Sequence, residues 1–308
     1  MRTNSFLAGK TKQLLLAAVL VVNVFSVMAQ RKPAALGREE YIEVEKNVKL
    51  HITDLGVGKP VVLIHGWPLS DAMYEYQYAE LVQKGFRVIG ITLRGFGLSD
   101  KPYGTYNYDV FADDIKVVLE KLKIENATIG GFSMGGAIVI HYVAKYDGAH
   151  INKMALFGAA APVWTKRSDF NYGLWTKEDV NGLIALNSTD RSKLFDTFGK
   201  IFPANENSVS PGIGAWLGSI NWLASNYAMG QTLAALRDTD LREDLKKIKV
   251  PTLILHGKLD KICSYDLAEQ MNIAIKNSTL VPFEKSGHAL FVEELSKFNS
   301  ELIKFAQK

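Results

Sequence analysis

The sequence predicts a doubly wound α/β sheet interrupted by a helical insertion. Three observations predict it. Short, continuously apolar runs alternate with helix-length stretches, a glycine-rich turn joins one predicted strand to one predicted helix, and strand signals vanish from Pro162 to about Leu245. Uniformly apolar short strands suit a parallel sheet covered on both faces. Alternation of strands with helices is the pattern of a doubly wound sheet.

The elements follow in order. Tyr41–Glu45 and Val48–Thr53 alternate, as half-buried strands do. Pro60–Ile64, Arg87–Ile91, Ala127–Gly130, Lys153–Phe157 and Thr252–Leu255 are apolar strands, and Val281–Phe283 is the last. Helices are predicted over Asp71–Lys84, Asp109–Lys121, Met134–Tyr146, Ser264–Ile275 and Leu290–Phe305. Asp109, Asp113 and Asp114 suit the N-terminal end of their helix, where the macrodipole favours acids. The strandless stretch holds Trp164, Trp175, Trp216 and Trp222, four of the five tryptophans. A structureless loop of that length is uncommon in a compact domain, so it reads as a mostly helical cap over the sheet's C-terminal edge. The organisation expected is a core over 30–161, a cap over 162–245 and the rest of the core over 246–308.

Residues 1–29 stand apart. They carry Arg2, Lys10 and Lys12 without an acid, then the apolar run Leu14–Val22, then Ser26-Val27-Met28-Ala29. Basic start, apolar middle and small-residue exit describe a secretory signal peptide cleaved after Ala29. A membrane anchor needs about 20 apolar residues. This run is shorter, and Asn23 ends it. The sequence therefore predicts an exported protein, periplasmic or extracellular, with no stable membrane insertion of the mature form.

Composition bounds the rest. The chain has 308 residues, 47% hydrophobic and 22% charged, which suits a globular protein and excludes disordered and collagen-like chains. One cysteine, Cys263, forms neither an internal disulfide nor a multi-Cys zinc site. The net charge of +4 loses Arg2, Lys10 and Lys12 with the leader, leaving 33 basic residues against 32 acidic ones. With no basic block and no nucleic-acid motif, a polyanionic partner is not expected. No H-E-x-x-H or similar spacing occurs, so neither a metal nor a cofactor is predicted.

The chemistry concentrates at Gly131-Phe132-Ser133-Met134-Gly135-Gly136. G-x-S-x-G between a strand and a helix is a nucleophile elbow, a tight turn whose small neighbours let the serine hydroxyl stand above the sheet. Serine needs a base. On this kind of fold the order along the chain is Ser, acid, His. Of the late histidines, His256 ends a strand and reads as a packed, hydrogen-bonded residue. His288, in the loop Ser286-Gly287-His288-Ala289, is the candidate base. Asp260, just after the strand Thr252–Leu255, is the candidate acid. Asp266 competes from inside a predicted helix, and Asp238, Asp240 and Asp244 read as a solvated face. The oxyanion donors are the backbone N–H groups of Met134 and of Trp67, in His65-Gly66-Trp67-Pro68; Pro68 has none to offer. His65 reads as a structural loop residue. Trp67, Phe132 and Trp164 are expected to shape an apolar substrate pocket.

Together these segments resemble the α/β-hydrolase superfamily, and within it the cofactor-free haloperoxidase and arylesterase (perhydrolase) branch. The resemblance spans most of Val44–Phe305. It is carried by His65–Pro68, Arg94-Gly95-Phe96-Gly97-Leu98-Ser99-Asp100, Tyr108–Asp114, Gly131–Gly136, Val250–Leu253 with Asp260, and Gly287-His288. It implies an α/β-hydrolase fold: a mostly parallel eight-stranded sheet flanked by helices, with a helical cap. It implies hydrolysis of small carboxylic esters without a cofactor, with water or hydrogen peroxide as acyl acceptor. A proline beside the oxyanion loop favours perhydrolysis in the family, and Pro68 matches it. Thr92 stands where the family usually has an acid, a departure that touches loop scaffolding rather than the triad. The cap resembles the family's only in length and apolar character. Dehalogenases and epoxide hydrolases of this fold use a carboxylate nucleophile, which Ser133 argues against. A carbon–carbon bond hydrolase, a lactonase and a non-catalytic ligand receptor on the same scaffold remain open, as does a homo-oligomer. N-terminal sequencing of the exported form is expected to begin at Gln30.

Overall fold

The computed structural model describes residues 38–308; the predicted export segment lies outside the described residues. The chain opens with β1 (Arg38–Glu45) and β2 (Val48–Gly56), an antiparallel hairpin. Then come β3 (Pro60–Ile64), a 3₁₀ turn at Asp71–Tyr74, α1 (Glu75–Gln83), β4 (Arg87–Ile91), α2 (Tyr108–Lys121), β5 (Ala127–Phe132), α3 (Met134–Lys145) and β6 (Ile151–Phe157). With β7 at Thr252–Gly257 and β8 at Ser278–Phe283, the eight-stranded sheet has the order β1-β2-β4-β3-β5-β6-β7-β8. β2 pairs antiparallel with β4, and the strands from β4 to β8 pair in parallel.

Strand periodicity explains how the sheet is covered. Successive side chains point to opposite faces. Val62, Ile64, Ile89, Ile91, Ile129, Leu156 and Ile254 enter one apolar cluster. Their neighbours Val61, Leu63, Val88, Ala155, Phe157, Leu253 and Leu255 enter the other. Every residue of β5 is buried, which is why that strand shows no polar alternation.

The stretch between β6 and the next strand is helical: α4 (Lys177–Thr189), α5 (Arg191–Ile201), α6 (Pro211–Asn221), α7 (Asn226–Asp238) and the short α8 (Arg242–Leu245). Four of these start at a side chain that takes up a free N–H of the first turn. Thr176 forms a capping box with Asp179, and Asp190, Ser210 and Ser225 cap the next three. The insertion reaches the loops after four strands, the one after β7 through Trp164 Nε1, which donates to the Ile262 carbonyl (3.0 Å). Trp67 Nε1 donates to the Met229 carbonyl (3.3 Å), and Ser225 N–H to Gly95 (2.8 Å) and Ala289 N–H to Phe202 (3.1 Å). The core then resumes with β7 (Thr252–Gly257), α9 (Tyr265–Ala274), β8 (Ser278–Phe283), α10 (Leu290–Glu293) and α11 (Leu295–Gln307).

Some expectations shift. The predicted helix Asp71–Lys84 begins as the 3₁₀ turn. The predicted Leu290–Phe305 helix breaks at Glu294, which has φ −117 and ψ 50. Glu294 there accepts from Lys285 N–H (3.1 Å) and Ser286 Oγ (2.7 Å), holding the preceding loop. Asn107 caps α2, accepting from Val110 N–H at 3.0 Å, and Asp109 stands in the first turn as expected. Asp114 is no helix-end acid. It is buried and grips Arg94 through Nε at 2.7 Å and Nη2 at 2.6 Å.

That fork ties the turn after β4 to α2. Removing one partner of a buried pair leaves the other charge uncompensated, typically costing about 3–5 kcal/mol. Arg94 keeps a second, exposed partner in Glu45 at 2.9 Å. Asp114→Ala is therefore expected to lose about 3 kcal/mol in urea unfolding, the lower end of that range.

Candidate active site

Ser133 ends β5 and starts α3 with φ 53 and ψ −118, in a region a residue with a Cβ rarely adopts. Its neighbours show why this turn needs glycine. A Cβ on Gly131 would lie 2.4 Å from the Gly135 carbonyl oxygen, and one on Gly135 2.4 Å from that of His65. The turn is held by Ser133 N–H donating to Phe157 (2.9 Å), while the Ser133 carbonyl accepts from Gly136 (3.0 Å) and Ala160 (3.0 Å). The residue is buried to 7% exposure and lines the cavity above the sheet.

His288 and Asp260 come to the same place from the loops after β8 and β7. His288 Nδ1 donates to Asp260 Oδ2 at 2.6 Å, which leaves Nε2 as the acceptor nitrogen. Asp260 Oδ1 accepts from the Ile262 and Cys263 N–H groups, both at 2.8 Å. His256 Nε2 lies 3.4 Å from Oδ2 and donates to the Cys263 carbonyl at 2.8 Å. Burial pushes the Asp260 carboxyl up, but His288 and His256 outweigh it and hold the carboxyl far below the usual range. Asp260 thus stays ionised. Asp266 lies within α9, as expected of the weaker candidate, and Asp244 pairs with His141 at 2.7 Å. Among the described residues no hydrogen bond joins the Ser133 hydroxyl to His288, although both line one cavity. Contacts of this kind commonly tighten only once substrate is engaged.

The two candidate oxyanion donors are available. Neither the Trp67 nor the Met134 N–H finds an acceptor among the described residues. Met134 is the first residue of α3, where backbone donors are unsatisfied and the helix dipole is positive. The Trp67 loop is fixed from below by His65, which is fully buried. His65 Nδ1 donates to the Gly66 carbonyl at 2.9 Å, and Nε2 accepts from Leu93 N–H at 3.0 Å. Protonating Nε2 would set two donors against each other. Burial is the largest cause lowering its pKa from 6.5 to about 4, with Gly66 and Asp71 pulling weakly back. Thr92 is loop scaffolding, as its departure from the pattern implied. It is buried and donates its hydroxyl to Asp71, which also accepts from Thr53 Oγ1 (2.6 Å) and Tyr78 OH (3.0 Å).

The cavity has a volume of about 1500 Å³ and is lined by Trp67, Pro68, Trp164, Phe198 and Phe202 around Ser133 and His288. Trp164 is oriented by its Nε1, which donates to Ile262 at 3.0 Å. Phe132 does not line it, contrary to expectation. It is fully buried, and its ring packs against His288 at 4.7 Å and Phe291 at 5.2 Å. As the last residue of β5 it follows the strand's alternation into the core face, and it backs the imidazole instead of meeting substrate. Phe198 and Phe202 were missed because the cap helices carry no motif. Cys263 is fully buried behind the site; burial and the Asp260 charge push its thiol up, with Ser133 and Trp164 pulling back. Among the described residues no group of three or more His, Cys, Asp or Glu side chains could hold a metal ion, and no helix is long and apolar enough to cross a membrane.

A family model for the alpha/beta hydrolase fold matches residues 59–295. The chain is 47% identical over 266 residues to the AB hydrolase superfamily protein YisY of Bacillus subtilis, covering 86% of this chain and 98% of that one. An esterase from Exiguobacterium antarcticum superposes with a TM-score of 0.85 at 40% identity, over 88% of this chain and all (100%) of the other. A bromoperoxidase from Bacillus anthracis gives the same TM-score of 0.85 at 34% identity, over 88% of this chain and 100% of its own.

The buried imidazole of His65 sets a pH dependence. Its folded pKa lies below the unfolded one, so the unfolded chain alone takes up a proton between pH 6.5 and about 4. The stability present above pH 6.5 is expected to fall as pH drops toward about 4. His65→Gln should flatten that part of a plot of urea midpoint against pH.

Proposed function

The chain belongs to the α/β-hydrolase fold family, in its esterase and non-haem haloperoxidase branch, and from that premise we propose that it is a serine esterase for small or aryl carboxylic esters. What carries this reading is one arrangement. A serine on a strained elbow shares a cavity with a histidine whose far nitrogen is bonded to a buried, ionised aspartate.

In the proposed mechanism Ser133 Oγ attacks the ester carbonyl carbon and His288 Nε2 takes the hydroxyl proton. Asp260 stays ionised and steadies the imidazolium. The Met134 and Trp67 N–H groups bind the oxyanion, which carries the charge developed in the transition state. Collapse of the tetrahedral adduct expels the alcohol oxygen, which receives the proton from His288. Water, deprotonated by His288, then attacks the acyl-enzyme and releases the acid with Ser133 restored. Hydrogen peroxide in place of water gives the peracid, and Pro68 at the cavity wall beside Trp67 supports that second acceptor. The apolar walls suit the organic parts of the ester. We further propose, from their basic and apolar pattern, that residues 1–29 serve as an export leader and that the enzyme works outside the cytoplasm.

Ser133→Ala is expected to lower kcat on p-nitrophenyl acetate by at least about a thousandfold. Full activity in that variant would sink the scheme. A panel of acetate, butyrate and lactone substrates, with and without peroxide, separates ester, lactone and peracid chemistry. Saturable ligand binding without turnover would mark a receptor instead.

A further inference from the structure

Glu293 takes no part in the proposed triad, yet its carboxylate touches both sides of the frame around His288. Oε2 accepts from Gly287 N–H at 2.7 Å, on the residue before His288. Oε1 accepts from Ala204 N–H at 2.7 Å and from Ser208 Oγ at 2.6 Å, both in the cap segment between α5 and α6. Further bonds pin the same segment. Ala289 N–H donates to the Phe202 carbonyl at 3.1 Å. Lys261 Nζ, next to Asp260, donates to the Ala204 carbonyl at 2.9 Å. The fit is close, since a Cβ on Gly287 would lie 2.5 Å from Ala204 N. Phe202 presses its ring edge on His288 at 5.5 Å, and this segment forms one wall of the cavity.

We propose that Glu293 is a positioning residue that locks the His288 loop and the cap segment 202–208 into one unit, so that it governs both the aim of the imidazole and the closure of the cavity wall. It acts through Gly287 on one side and through Ala204 and Ser208 on the other, and it touches no substrate. Hydrogen bonds to an ionised acceptor are roughly twice as strong as neutral ones. A carboxylate serves three donors at once. A Gln amide has a single acceptor oxygen, so it must turn its NH₂ toward at least one of those donors. The site should then loosen without any change in side-chain volume. The wall segment lines the cavity, so a substrate long enough to reach it should sense its position.

This inference rests on the serine-hydrolase reading, and the test keeps the two apart. The full chain is treated with a fluorophosphonate probe, which reacts with an activated serine. Kinetics are run on p-nitrophenyl acetate and p-nitrophenyl octanoate. Wild type is expected to label at Ser133. Glu293→Gln is expected to label at least about tenfold more slowly per folded molecule, as a misaimed base predicts. Ser208→Ala, which removes one of the two wall-side bonds of Glu293 along with the Ser208 Oγ contacts to Asn205, is expected to raise KM for the octanoate by about threefold, the worth of one hydrogen bond, and to leave the acetate KM unchanged. Failure of wild type to label would overturn the serine-hydrolase reading and this inference with it. Labelling of wild type and Glu293→Gln at equal rates would overturn this inference alone, as would a lowered melting temperature with unaltered labelling per folded molecule. If Glu293→Gln does not fold, an unchanged octanoate KM in Ser208→Ala overturns it.

Discussion

Ser133 is held at φ 53 and ψ −118, and such a backbone costs about 1–3 kcal/mol. Nothing local to the turn repays that. The strain is carried by β5, every residue of which is buried between two apolar faces, and by α3, which packs so near β3 that Gly135 cannot carry a side chain. The same constraint places the Met134 N–H at the first, unsatisfied position of a helix. One backbone conformation therefore fixes both the hydroxyl and an oxyanion donor. Loops from three other strands then have to meet this fixed point.

They meet it through buried polar bonds, each with a forced partner. Asp260 is nearly inaccessible, and it is tolerated as a charge because two backbone N–H groups and two histidines face its oxygens. His65 works in the opposite sense. One donor and one acceptor hold it neutral. Asp71 gathers three hydroxyls beneath the loop bearing Trp67. Low local polarity strengthens each of these buried bonds, and together they hold the loops in place.

The cap adds the fourth side. Its helices present apolar residues such as Phe195, Phe198 and Leu217 and polar ones such as Ser192, Asp196 and Lys200 to the cavity, and hydrogen bonds join the insertion to the loops after β3, β4, β7 and β8. The cavity wall thus draws on residues with no motif, such as Phe198 and Phe202, while the candidate site beneath it draws on residues with one. Where the two regions join, Glu293 and Lys261 bind the cap segment to the His288 and Asp260 loops.

The sequence by itself determined what short-range sterics and chain order can specify. Glycines around Ser133 announce the turn because no other residue fits there, apolar runs announce strands buried on both faces, and chain order together with a place in a strand-end loop points to Asp260 and His288. The absence of strand signals over so long a stretch made the insertion legible as helix. What depends on partners far along the chain was decided only by the tertiary structure. Asp114 looks like a helix-end acid until Arg94 lies against it, and Phe132 looks like a pocket residue until the strand's alternation turns its ring behind His288. Glu294 breaks a predicted helix because its carboxylate is needed by Lys285 and Ser286. Glu293 had no signal at all, since its meaning lies in donors brought to it from Ala204, Ser208 and Gly287, and that convergence exists only after the cap and the last loop have packed together.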